Sequence, residues 1–81
     1  MECVYEKYIR DFRCRYYILK TTKGYVGIKI EKINPNGEIL EECSVENVDK
    51  DERKVRELLR RINKGKVTPI TLKDVIADSA I

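Results

Sequence analysis

The feature that most constrains this chain is a change of period along its length. Val26, Ile28 and Ile30 alternate with Gly27, Lys29 and Glu31, which is the period of a strand with one buried face. A turn-forming run follows, Asn34-Pro35-Asn36-Gly37, and then an acidic extended stretch. After that, Val55, Leu58, Leu59 and Ile62 recur at i, i+3, i+4 and i+7, the single apolar stripe of a helix resting on a core. Neither pattern carries enough apolar residues to close a core alone, so the sheet and the helix must cover each other. The pattern fixes an architecture and names no chemistry.

Alternation starts again upstream. Phe12, Cys14, Tyr16 and Ile18 point one way, and Arg13, Arg15, Tyr17 and Leu19 the other, so a strand is predicted over 12–21. The β-prone stretch from Cys3 to Ile9 is either a first strand of its own or an extension of the next through a bulge near Arg10-Asp11. Thr22-Lys23-Gly24 supplies a turn before a strand over 25–33. Gly27 sits on the outer side of that strand, where Tyr17 or Tyr25 is expected to cover it. Asn34 to Gly37 suits a type I turn with Pro second and Gly closing a bulge. A third strand over 38–47 carries Ile39, Cys43 and Val45 on one face, with Glu41 among them. That reads as a bulge or as an edge strand with an inward charge. Asp49 and Glu52 form a candidate capping box for a helix over 50–64, with Gly65 as its C′ residue. Thr71 is expected to cap a short second helix with Leu72, Val75 and Ile76 inward, and 79–81 to fray. The expected fold is α+β: an antiparallel meander of three to four strands packed on one main helix, plus a short C-terminal helix, as a single domain over 1–81.

The run Lys64-Gly65-Lys66-Val67-Thr68-Pro69-Ile70-Thr71-Leu72-Lys73-Asp74-Val75-Ile76, with Tyr16-Tyr17 and Gly27-Ile28-Lys29-Ile30, resembles a family of small proteins from spore-forming anaerobic bacteria. That family is known only as a domain of unknown function. The resemblance runs from about Tyr16 to Asp78. It implies a compact intracellular bacterial domain and brings no activity and no site residue.

Composition narrows the function classes. The chain is 42% hydrophobic and 38% charged, as a folded soluble domain is. No run approaches the ~18 apolar residues that span a bilayer. The N-terminal residues lack a signal-peptide pattern, so a cytoplasmic protein without membrane partners is expected. There is no histidine, and Cys3, Cys14 and Cys43 are odd in number and widely spaced. They are expected to be small, reduced, partly buried thiols, with no metal and no cofactor. No glycine-rich phosphate loop is present, and the adjacent Glu41 and Glu42 face opposite sides of a strand. An enzyme is therefore not expected.

Charge is segregated. Residues 1–33 hold eight basic and four acidic side chains, residues 34–49 five acidic and none basic, and residues 50–66 eight basic and three acidic. Neighbouring elements of opposite sign attract across a sheet, which explains the pattern internally. The sharper reading is a basic surface for an anionic partner. Two candidate surfaces follow. Arg13, Arg15, Tyr17, Tyr25 and Lys29 would share the outer sheet face and bind another protein or a second copy, since Tyr and Arg are frequent interface anchors. Tyr17 and Tyr25 should then be partly exposed. Alternatively, that face and the helix stripe Arg53, Arg56, Arg60 and Lys64 would bind nucleic acid through stacking and phosphate contacts. Glu52–Arg56, Arg53–Glu57 and Glu57–Arg61 fall at i, i+4 and mark an ordinary solvated helix face instead.

Overall fold

A computed structural model describes residues 1–78. Four strands, β1 (Glu2–Ile9), β2 (Phe12–Lys20), β3 (Val26–Ile33) and β4 (Ile39–Asp49), precede a helix α1 (Glu52–Lys64) and a short helix α2 (Leu72–Asp78). The strands form one antiparallel sheet in chain order β1-β2-β3-β4. The α+β meander read from the sequence is the fold. Cys3 to Ile9 form a strand of their own, joined to β2 by the tight turn Arg10-Asp11 with Arg10 at φ 54°. The fraying expected at 79–81 lies outside the described residues. No helix among the described residues is long and apolar enough to cross a membrane.

The Asn34 turn is built as its sequence demands. Gly37 N–H donates to the Asn34 carbonyl at 3.0 Å, and Gly37 takes φ 88° to close the bulge. The Asn34 side chain also accepts from the Asn36 and Glu38 N–H groups.

Cys14, Tyr16 and Ile18 on β2, and Val26, Ile28 and Ile30 on β3, are buried together with Val55, Leu58, Leu59 and Ile62 of α1 and Leu72 of α2. The helices therefore cover one sheet face, the one alternation assigns to the interior. Lys7 of β1 donates to the Asn63 carbonyl at the end of α1 at 2.9 Å. Lys20 reaches Glu52 at its start at 3.0 Å. The α2 segment packs against β4, at the sheet edge.

Three local expectations are corrected. The N-cap of α1 is Asp51, whose carboxylate accepts from Arg53 N–H at 3.0 Å. Asp49 is still paired in β4, and its carboxylate instead accepts from the Asp51 N–H, so the helix starts at Glu52. At the other end, the left-handed residue is Lys66 (φ 55°), while Gly65 keeps φ −82°. Lys66 N–H bonds the Asn63 carbonyl and Val67 N–H the Ile62 carbonyl, a complete Schellman closure displaced one residue past the glycine. Pro69 opens a 3-10 turn over Pro69–Thr71, and the Thr71 hydroxyl donates back to the Thr68 carbonyl rather than capping α2. A lysine in the left-handed region is strained, so Lys66→Gly is expected to stabilise the chain by about 1 kcal/mol. A higher urea midpoint with an unchanged slope is the check.

The atoms nearest the open face of Gly27 belong to the β4 backbone rather than to Tyr17 or Tyr25. Val26 pairs with Asp49 and Ile28 with Val45, so β4 has extra residues opposite Gly27. That bulge carries the β4 backbone over the glycine: a Cβ there would lie 2.3 Å from the Val45 carbonyl oxygen and 2.7 Å from Glu46 Cα. A second shift falls between Lys32 and Ile33, and the inward Glu41 pairs with Lys32 at 3.6 Å. Both readings of β4, bulge and edge with an inward charge, hold together.

The three cysteines are free: Cys14 is buried, Cys43 partly so, and Cys3, expected to be partly buried, is exposed. Burial pushes up the Cys14 thiol and the Tyr16 phenol, whose hydroxyl donates to the Val67 carbonyl at 3.0 Å. Their ordinary values are 9.0 and 10.0. Above those values the unfolded chain loses protons that the folded chain keeps. The stability from these groups is therefore complete below about pH 9 and lost as pH rises further. Urea midpoints should fall from about pH 9 to pH 11, and a flat profile there would contradict the burial of both groups.

Candidate interaction surface

The outer sheet face is built by the other parity of the strands. Cross-strand pairing sets Tyr17 opposite Lys29, and Arg15 between Glu6 and Glu31. Arg15 Nε donates to Glu6 Oε2 at 2.8 Å, while Arg13 Nη1 lies 3.9 Å from Glu6 Oε1. Lys29 Nζ lies between Glu31 at 3.5 Å and Glu42 at 3.7 Å. Arg13, Arg15 and Lys29 thus meet Glu6, Glu31 and Glu42, and the face is close to neutral.

Tyr17 departs from its expected exposure. It is 9% exposed, and its hydroxyl donates to Glu31 Oε1 at 2.6 Å. Glu31 itself is 7% exposed. Burial first, and then the Glu31 carboxylate, lift the Tyr17 phenol above its usual value. A tyrosine locked in this way is a structural member of the sheet and not a free anchor. Tyr25 is half-buried beside Lys50, whose Nζ lies 5.2 Å from its ring centre. It sits by the Thr21–Gly24 turn, at the opposite end of β3 from the Arg13 pairing, so the structure does not bring Tyr25 to Arg13.

The exposed apolar surface lies elsewhere. Tyr8, Arg13, Ile33 and Ile39 are successive cross-strand partners from β1 to β4. They form one row across the sheet end that carries the Arg10 and Pro35 turns. Tyr8 is 72% exposed, Ile39 51% and the neighbouring Leu40 53%, with Ile33 buried in the row. Beside it a cleft of about 400 Å³ opens between the two turns, with Tyr8, Phe12, Ile33 and Pro35 as apolar walls and Arg10, Asp11 and Arg13 as its charges. Arg13 Nε is buried there without a hydrogen-bond partner among the described residues. Only Arg13 of the residues singled out from sequence belongs to this row. Tyr8, Ile33 and Ile39 were missed, although three of the four row residues are large and apolar and flank turns.

On α1, Arg56 is held by Glu52 at 2.7 Å and Glu2 at 2.9 Å, and Arg60 by Glu57 at 2.7 Å. Arg61 also reaches Glu57 at 3.8 Å. Arg53 and Lys64 have no ion pair among the described residues, and they stand at opposite ends of the helix. The stripe is thus interrupted by neutralised pairs. No group of three or more metal-ligating side chains lies together among the described residues.

Residues 1–80 match a protein family described as a family of unknown function (DUF6514). No curated protein and no solved structure matches the chain.

Proposed function

We propose that this chain, which belongs to the DUF6514 family of unknown function, is a non-catalytic interaction module that docks another protein on the turn end of its outer sheet face. We read it, with its family, as an intracellular protein of spore-forming anaerobic bacteria. The observation that carries the proposal is the row Tyr8, Arg13, Ile33 and Ile39, in which Tyr8 and Ile39 stand exposed on either side of Arg13 and the buried Ile33. A tyrosine and an arginine set among apolar neighbours are the usual contents of an interface centre. Arg15, Tyr17 and Lys29 lie beside this row on the same face, engaged with Glu6, Glu31 and Glu42. Binding of nucleic acid is less well supported, because each basic side chain of the sheet face lies within ion-pair distance of a carboxylate, as do Arg56 and Arg60 of the helix. Forming phosphate contacts there would first cost those pairs.

The paired change Tyr8→Ala with Ile39→Lys tests the proposal. Both side chains are mostly exposed, so stability should move by no more than about 0.5 kcal/mol. A partner protein purified with the parent chain should be lost, with affinity down at least about tenfold. Retention of the partner at full affinity would remove this row from consideration.

A further inference from the structure

We infer that the cleft beside the Tyr8–Ile39 row receives the free C-terminal carboxylate of a partner chain whose last side chain is apolar. The inference rests on the docking reading and names the chemistry that its cleft accepts.

The charge of the cleft points to an anion. Arg10 and Arg13 face it against the single acid Asp11, and no ion pair joins Asp11 to either arginine among the described residues. Arg13 is the poorly satisfied cation of this face. Its nearest carboxylate, Glu6, stands 3.9 Å away and is committed to Arg15 at 2.8 Å through its other oxygen. Its Nε is buried with no acceptor among the described residues, a condition that proteins seldom tolerate without a compensating ligand or water. A planar guanidinium takes a carboxylate through two parallel hydrogen bonds, which suits it to this role.

The walls and size point to a chain end. Phe12, Ile33 and Pro35 give the anion an apolar neighbour to stand beside. The Arg10-Asp11 turn stands on one side of the cleft and the Asn34-Pro35 turn on the other, and the cleft is open to solvent between them. A volume of about 400 Å³ lies at the small end for ligand sites and fits one or two residues. A terminal apolar residue carries a carboxylate and an apolar body on one unit, as the cleft requires.

The probes are acetyl-Leu-Phe with a free carboxylate and its C-terminal amide, titrated into the ¹⁵N-labelled full chain. The acid should bind saturably and at least about tenfold more tightly than the amide, since only the acid can pair with the guanidinium. The Arg13 Nε–H and Ile33 amide resonances should shift with the acid. Arg13→Gln should erase the preference, and Arg13→Lys should keep part of it. Equal binding of acid and amide would overturn the inference, as would no binding of either up to about 10 mM. The acid–amide comparison uses the parent chain, so a poorly folding variant cannot obscure it. If the preference is absent while Tyr8→Ala with Ile39→Lys still releases the partner, the cleft assignment fails and the docking row stands. If the preference holds while that variant keeps its partner, the docking row fails instead.

Discussion

Gly27→Ala is expected to cost at least about 3 kcal/mol, a large share of the roughly 4–12 kcal/mol that holds a chain of this length together. The added Cβ would lie 2.3 Å from the Val45 carbonyl oxygen and 2.6 Å from that of Glu46. Both obstacles are backbone, so no side chain can swing aside. Either β4 leaves β3 along the bulge or the two strands separate. The readout is urea unfolding together with the amide spectrum of residues 43–49, which should change first. Stability within about 0.5 kcal/mol of the parent would show that β4 does not cross Gly27 as described.

Leu59→Ala is the second large effect, expected at about 3–5 kcal/mol. Leu59 is fully buried at the centre of the apolar stripe of α1, against the inward residues of β2 and β3. Truncation removes the transfer energy of its side chain and leaves a cavity that a closely packed interior only partly closes. Leu58, slightly more exposed, should follow with a smaller loss. Equilibrium unfolding of both variants checks this. If both proved nearly neutral, α1 would not be what closes the sheet.

The parts of the fold that were legible in the sequence are those governed by local rules. Alternation placed Cys14, Tyr16 and Ile18 inward, and the Asn34-Pro35-Asn36-Gly37 run specified its own turn. The corrections fall where two local rules compete and tertiary structure chooses. Asp49 and Asp51 are both competent N-caps, and pairing of Asp49 with Val26 in the sheet leaves the helix to Asp51. Gly65 offers the conformational freedom of a C′ residue, yet the closure falls on Lys66, which brings the Val67 carbonyl to the Tyr16 hydroxyl. Tyr17 was assigned the correct face and the wrong environment. Its partner Glu31 lies diagonally across β3, at a distance set by strand register, which alternation alone does not reveal. The cleft was least legible. Its walls come from the turns at 10–13 and 33–35, which only the assembled meander brings together. Alternation sets Ile39 on the face of Cys43 and Val45, but the register shift between Lys32 and Ile33 carries it to the outer row with Tyr8. That row carried no signal until the strands were paired.

On the proposed function, the turn end of the outer sheet face, and not the basic helix stripe, meets the partner. Chemical-shift mapping of the ¹⁵N-labelled chain against its purified partner tests this most directly. The largest changes should gather at Tyr8, Arg13, Ile33, Ile39 and Leu40, with the amides of α1 nearly still. Changes centred instead on Arg53, Arg56, Arg60 and Lys64 would contradict it.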